Sequence, residues 1–360
     1  MPRKVVLQIV QHLQPGGIET MALDLLDRSS SCMEVHILSL EGSKAEAILS
    51  WPRLAPYADR LHFLDKRPKL DFGAVGRLVT LLRKLNVNAI HTHHIGPLLY
   101  GGIAARLTGI RTVVHTEHDA WHLRHNRRRQ IQSIIAKIVQ PIFIADAELV
   151  ATALKGFIPA IKPQIIHNGV DTDKFKPGNQ EDARRKLGLP QGVSVIGCAA
   201  RLEPVKGHCL LLDAMMSLPS SVHLALAGDG SLRAQLEKIT KSKGLDRRVH
   251  FLGAIDNMEV FHQAQDVFCL ASEQEGLPLS PLEAQASGAA AVLTDVGGCK
   301  EAICPDAGWL VSERSPLKLA EGLTAALNDI GRADPRGFVL QHRNLLQTVG
   351  AYEALYGLHH

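Results

Sequence analysis

Aromatic residues are scarce in this chain, 4% of 360, which excludes the stacking platforms that single-stranded nucleic acid needs. A surplus of one charge is also missing. The 40 Lys+Arg against 36 Asp+Glu leave +4, too little for a coat that binds nucleic acid by charge alone. Hydrophobic residues at 46% exclude an intrinsically disordered chain. No stretch approaches the roughly 18 uninterrupted apolar residues of a membrane helix. Near the start, VVLQIVQHL is interrupted by Gln8 and Gln11 and is too short for a signal-peptide core. The six cysteines (Cys32, Cys198, Cys209, Cys269, Cys299, Cys304) show no C-x-x-C spacing. The expectation is a soluble, cytoplasmic protein with reduced, mostly buried thiols.

What is present is order along the chain. At about 150 residues per domain the length argues for two domains. Short β-branched runs recur between amphipathic segments: VVLQIV (5–10), VHILSL (35–40), AIHTHH (89–94), TVVHTEH (112–118), IFIAD (142–146), VSVIGCA (193–199), VHLALAG (222–228), VFCLAS (267–272) and AAVLTDV (290–296). This alternation predicts α/β architecture used twice, with parallel sheets wound by helices. The polar stretch QIIHNGVDTDKFKPGNQED separates the two sets and marks the junction. Beyond the second set, Leu345, Val349, Tyr352, Leu355 and Tyr356 keep helical spacing.

Ligands of doubly wound sheets bind beyond the carboxyl ends of the strands, so those positions carry the chemistry. Gly16 and Gly17 lead from the first strand into a helix and would let backbone N–H groups approach an anion, or simply make a tight turn. The G-x-G-x-x-G fingerprint is absent, which weakens a nicotinamide-dehydrogenase reading. Seven histidines fall between His91 and His125, but H-E-x-x-H does not occur, so no metal is expected. His118 and Asp119 follow a strand and could donate to and accept from a ligand hydroxyl, or cap the next helix. Arg124, Arg127, Arg128 and Arg129 open a helix, as a solvated start or as a surface for an anionic acceptor or acidic lipid. Arg201 directly follows a strand and Lys206 lies five residues on, a fork and a point charge suited to a diphosphate. Gly228 and Gly230 follow another strand, with Ser231 as an expected N-cap. In EGLPLSPLEAQASG, Ser280 and Glu283 read as a capping box closed by Gly288. Glu283 can also bind a vicinal diol, and Glu275, on a loop beside Gly276, has a pocket as its natural partner.

In this order the pieces resemble the retaining glycosyltransferases of family 4. The matching elements are PGGIE at 15–19, HNGVDTDKFKP at 167–177, ARLEPVKG at 200–207, LAGDGSLR at 226–233, VHFLGAI at 249–255, and the E-x(7)-E pair Glu275 and Glu283. The resemblance spans nearly the whole chain. It implies a GT-B fold: two Rossmann-like domains, 1–172 on the acceptor side and 173–338 for the nucleotide-sugar, facing across a cleft, with a C-terminal helix at 339–360 crossing back to the first. It implies that Arg201 and Lys206 hold the diphosphate with the amides of Gly276 and Leu277, while Gly16 and Gly17 approach it. Glu275 would hold sugar hydroxyls, Glu283 the ribose, and His118 would lie against the donor sugar. The implied catalytic set is His118, Arg201, Lys206 and Glu275, and Gly228 joins the donor-binding set. Expected partners are a nucleotide-sugar, UDP-linked by default, and a glycan or lipid-linked acceptor in polysaccharide synthesis, with no cofactor, no metal and peripheral membrane contact through the arginines. A nucleotide-sugar epimerase and a non-catalytic nucleotide-sugar binder are the alternatives. The usual serine is replaced by Asp146, and acceptor features do not transfer.

Overall fold

A computed structural model describes residues 3–357. The chain forms two compact units, Met1–Asn168 with Leu346–His360, and Gly169–Leu345. Each is a Rossmann-like parallel sheet wound by helices.

In the first unit the strands are β1 (Lys4–Val10), β2 (Met33–Ser39), β3 (Leu61–Phe63), β4 (Ala89–His93), β5 (Thr112–Glu117), β6 (Ile142–Ala145) and β7 (Gln164–Ile165). They lie in the order β3-β2-β1-β4-β5-β6-β7 with parallel pairing throughout. Helices supply the crossovers that parallel pairs need. Gly17–Arg28 buries Met21, Ala22, Leu25 and Leu26, each large side chain contributing about 1.5–3 kcal/mol. Phe72–Lys84 starts where Asp71 accepts the Ala74 amide, satisfying one of the free N–H groups of a helix end.

The second unit holds β8 (Ser194–Ala199), β9 (Val222–Ala227), β10 (Val249–Gly253), β11 (Val267–Leu270), β12 (Ala290–Thr294) and β13 (Gly308–Val311), ordered β10-β9-β8-β11-β12-β13. Side chains alternate across the sheet: Val267 and Cys269 pack into one core with Ile196, Leu224 and Val292. Phe268 and Leu270 pack into another with Ala291 and Leu293. Both faces are covered, so the strand reads as a continuous apolar run. Four strands fall outside the nine expected, β3, β7, β10 and β13, and all four are sheet edges.

The expected helix over 339–360 is two helices, Pro335–His342 in the second unit and Leu345–Gly357 leading back into the first. The break has a backbone cause. The Val170 amide donates to the Arg343 carbonyl at 2.9 Å, and the Leu345 amide donates to the Val170 carbonyl at 3.0 Å, which diverts the groups a continuous helix would use. Leu345, Val349, Tyr352, Leu355 and Tyr356 are all buried. The two tyrosines also carry hydrogen bonds: Tyr356 Oη lies 2.7 Å from His91 Nδ1, and Tyr352 Oη lies 2.9 Å from Thr116 Oγ1, which in turn meets His91 Nε2 at 2.7 Å.

Tyr356→Phe leaves the ring buried but strips His91 Nδ1 of its partner, and a buried polar atom left unpaired costs about 1–3 kcal/mol. A fall of that size in urea-unfolding free energy is the expected result, against a near-neutral effect for Phe at an exposed tyrosine.

Candidate functional site

In the second unit the site grows from the ends of β8 and β11. Arg201, two residues past β8, is exposed, and, after the hydrogen bonds from Ser231, its charge helps to lower the pKa of the neighbouring Glu203. Lys206 ends the turn Pro204–Lys206, and its Nζ donates to Glu275 Oε1 at 2.6 Å. Ser272 Oγ donates to the same oxygen at 2.6 Å. Two residues that the sequence presents separately, 69 positions apart, are thus one pair, with Glu275 only 8% exposed.

The loop that carries Glu275 is pinned by backbone. The Gly298 amide donates to the Gly276 carbonyl at 2.9 Å and the Glu273 amide to Val205 at 2.7 Å. Gly297 has φ +55°, and a Cβ there would lie 1.8 Å from the Glu275 carbonyl oxygen. In the same loop the amides of Gly276 and Leu277 donate to no acceptor among the described residues, and Pro278 has no N–H to give. Unpaired backbone amides are groups that an anion can satisfy.

The structure corrects the capping readings. The helix Ser280–Ala286 has no side-chain cap, because Leu279 already has helical dihedrals (φ −80°, ψ −37°) and Ser280 lacks the extended backbone that capping requires. Glu283 instead turns to His262, with Oε2 3.2 Å from Nε2. His262 Nδ1 accepts from Gln265 Nε2 at 3.0 Å, so Nε2 bears the proton donated to Glu283. Ser231 likewise caps nothing: Leu232 is helical, and Ser231 binds Glu203 through Oγ at 2.6 Å and its amide at 3.0 Å. Gly228, at φ +136°, would bring a Cβ within 2.1 Å of the Ala200 carbonyl oxygen, so its need for glycine is explained inside the unit.

In the first unit Gly17 has open space where a Cβ would stand, whereas a Cβ on Gly16 would meet Glu19 Oε2 at 2.4 Å. Glu19 also lies 3.2 Å from His12, and that hydrogen bond raises the imidazole's pKa. His118, buried after β5, uses both ring nitrogens within the unit: Nε2 is 3.1 Å from His93 Nδ1, and Nδ1 is 3.1 Å from Asp146 Oδ2. Asn168 Nδ2 donates to the same Asp146 oxygen at 3.1 Å, while Asp146 Oδ1 and Asn168 Oδ1 are buried without partners.

Glu117, at the end of β5, is fully buried. Burial works against its charge, but hydrogen bonds from His115 and His94 overcome that and hold the carboxyl well below its ordinary range. Gln132 Nε2 donates to it at 2.6 Å. Asp119 accepts the Trp121 amide at 3.2 Å. The histidines bond to one another and to their neighbours, and among the described residues no group of three or more His, Cys, Asp or Glu could hold a metal ion.

The two glutamates, Lys206 and the loop amides therefore share one unit, while Gly16, Gly17 and His118 belong to the other. Residues that the sequence reading left unassigned include His262, Ser272 and Asn168. Gln8 had a visible signal, a polar side chain inside an otherwise apolar central strand, whereas His262 sits on a helix with nothing to distinguish it. Arg124, at the end of the turn Trp121–Arg124, and Arg127 and Arg128, at the start of the helix Asn126–Val139, are exposed, and Arg129 donates to Asn126 Oδ1 at 2.7 Å. Among the described residues no helix is long and apolar enough to cross a membrane.

Comparison with known proteins gives concordant matches. A family profile described as glycosyl transferases group 1 matches residues 179–335, and one described as glycosyltransferase family 4 matches residues 15–174. The UDP-Gal:alpha-D-GlcNAc-diphosphoundecaprenol alpha-1,3-galactosyltransferase of Escherichia coli is 30% identical over 245 residues, 63% of each chain and so less than two thirds of that enzyme's length. EpsF of Bacillus subtilis is 26% identical over 356 residues, 93% of this chain and 89% of EpsF. Anabaena HepE, solved in complex with UDP, has a TM-score of 0.83 at 22% identity, covering 99% of this chain and 100% of that one. At that identity the likeness is one of fold.

Gly297→Ala forces a side chain against the Glu275 carbonyl at a backbone angle that disfavours it. The expected loss exceeds about 1 kcal/mol, read as a lowered urea midpoint of the second unit, with faster hydrogen exchange around Glu275.

Proposed function

The chain belongs to the group 1 glycosyltransferases of family 4, and from that membership we propose that it moves a sugar from a nucleoside-diphosphate donor, UDP-linked by first choice, to a glycan or lipid-linked acceptor, with retention of configuration and without a metal ion, in polysaccharide synthesis. The observation that supports this is the clustering after β8 and β11 in the second unit: Lys206 held on Glu275, the Gly276 and Leu277 amides without an acceptor among the described residues, and exposed Arg201. A diphosphate needs charge neutralised at several oxygens, and a fixed ammonium, a guanidinium fork and backbone N–H groups supply it with no ion bound. Glu275, oriented by Lys206 and Ser272, then has a carboxylate for sugar hydroxyls, and Glu283, held by His262, has one for a ribose diol. His118 is assigned to the donor sugar.

In the reaction the acceptor hydroxyl oxygen bonds to the anomeric carbon on the face from which the nucleoside diphosphate departs. The bond from that carbon to the phosphate oxygen breaks, and this oxygen takes the hydroxyl proton. No protein nucleophile is consumed, so the protein's contribution is positioning and stabilisation of the leaving charge. The names of the relatives favour nucleotide-sugars as donors and a diphosphoundecaprenol-linked glycan as one acceptor type. The helix that carries Arg127 and Arg128 in its first turn, just after Arg124, exposes Ile134 and Ile138. A basic stretch beside exposed isoleucines suits the surface of an anionic membrane, where a lipid-linked acceptor resides.

Calorimetric titration with UDP, GDP and ADP, each with EDTA and with magnesium, tests the donor reading. One nucleotide is expected to bind with or without chelator. Arg201→Ala should weaken it by about 10–100-fold, the worth of a charge-assisted hydrogen bond, and Lys206→Ala should lose most turnover. Binding of none of the three overturns the reading, and unchanged turnover in Lys206→Ala removes that residue from the diphosphate.

Sedimentation with vesicles tests the membrane contact. Association is expected with phosphatidylglycerol vesicles and not with phosphatidylcholine alone, weakening roughly fivefold for each of Arg127 and Arg128 replaced by Gln. Equal behaviour on both lipids overturns it.

A further inference from the structure

Gln8 is a polar residue at a fully buried position of β1, and its surroundings orient its amide. Nε2 donates to the Ala22 carbonyl at 2.8 Å, so Oε1 faces the other way, toward His93 Nε2 at 3.3 Å. An amide oxygen only accepts, and His93 therefore carries its proton on Nε2. Turning the amide over would set Oε1 against the Ala22 carbonyl, acceptor against acceptor. His93 is fully buried, and burial, reinforced by His91 and His118, pushes its pKa well down. Its ring is neutral and Nδ1 is a bare lone pair. That nitrogen lies 3.1 Å from His118 Nε2, which must bring the hydrogen. On its other side His118 Nδ1 faces Asp146 Oδ2 at 3.1 Å, where Asn168 Nδ2 also donates.

We propose that Gln8, His93 and Asp146 are positioning residues that lock His118 with a hydrogen on Nε2, donated to His93, and one further proton shared between His118 Nδ1 and Asp146, so that both ring nitrogens are committed inside the first unit and His118 is never the base of the reaction. The functional part rests on the assignment of His118 to the donor sugar made above; the proton arrangement stands on geometry alone. The usual histidine–aspartate arrangement has Nδ1–H toward the carboxylate and a bare Nε2. Here that form would require His93 to donate from Nδ1 and leave its Nε2 lone pair facing the Gln8 oxygen.

The groups that face His118 come from several elements. His93 and His91 approach from β4, the His94 ring centroid is 5.8 Å away, Asp119 follows in sequence, and Tyr352 on the last helix interacts with Asp146. Asp146 is fully buried, and burial raises its carboxyl pKa, which favours a proton on or beside that carboxylate. With neither ring nitrogen free, the proton of an acceptor hydroxyl has the departing phosphate oxygen as its destination.

The test is long-range 1H–15N spectroscopy of the full chain with 15N-labelled histidine, the His118 signals being assigned by their loss in His118→Gln. The expected wild-type spectrum at neutral pH has His118 Nε2 in the protonated range. Gln8→Met should reverse the relay and move that nitrogen to the bare range. Asp146→Asn, close to isosteric and suited to the case in which Gln8→Met does not fold, should keep Nε2–H but move Nδ1 to the bare range. A bare Nε2 in the wild type, or an Asp146→Asn spectrum identical to wild type, overturns the proposal. Calorimetry with UDP, GDP and ADP on the same samples separates the two readings. A chain that binds none of them overturns the function proposed above while the spectra still judge the relay. A chain that binds one but shows a bare Nε2 overturns the relay alone.

Discussion

Every interior strand of both sheets is covered by helices on its two faces, and this constraint decides where polar chemistry can stand. A side chain in such a strand has no water to turn to, so a polar group there must find a partner inside or cost about 1–3 kcal/mol. The two units meet the constraint differently. In the second, β11 and β12 read VFCL and AAVLT, and the candidate site begins only after the strands end. In the first, polar residues enter the strands themselves: Gln8, His91, Thr92, His93, His115 and Thr116 are all fully buried. They persist because each bonds another, from Gln8 through His93 to His118 and from His91 through Thr116 to Tyr352.

The same constraint explains which parts of the fold were legible. The nine strands read from β-branched runs are the nine interior strands, since burial on both faces leaves a continuous apolar signature. The four that were missed, LHF, QI, VHFLG and GWLV, are the edges. An edge strand is short and only partly covered, so the apolar run that reveals its neighbours is diluted. The break between the last two helices was hidden for another reason. The apolar spacing of Leu345 to Tyr356 was correct, but the interruption comes from Val170, some 170 positions upstream, pairing with Arg343 and Leu345.

For the candidate site, residue type was legible and partnership was not. Glu275 and Lys206 were both visible on strand-end loops, yet nothing local shows that one carboxylate oxygen receives both Lys206 and Ser272. Ser280 and Glu283 have the spacing of a capping box, and spacing alone cannot reveal that the helix has already begun at Leu279. Once capping is removed, Glu283 has no local structural task, and its remaining bond is to a histidine that fixes its orientation. Gly228 moves the opposite way: a position read as room for a ligand is occupied by the neighbouring Ala200 carbonyl. The glycines that shape this unit are demanded by backbone packed against backbone, and the shape so produced leaves the amides of Gly276 and Leu277 without partners.

The first unit's polar layer is also where the last helix docks on the sheet. Lys4 on β1 donates to the Gly357 carbonyl at 3.2 Å, and the last helix inserts Tyr352 and Tyr356 against His91. The His91 ring centroid lies 4.2 Å from that of His93, the rings tilted by 41°, and His93 bonds His118. Residues from β1, β4, β5, the end of β6 and the last helix therefore complete one another's hydrogen bonds. Remove the helix and His91 Nδ1 loses its partner, and Thr116 Oγ1 keeps only His91 of its two. Such a layer is marginal until its last member docks, because a partly satisfied buried network is worse than an apolar one. The return of the chain to the first unit is thus more than a topological habit: it supplies the final donors and acceptors of the layer that holds His118, and so couples the orientation of that ring to the docking of a helix more than two hundred residues away in sequence.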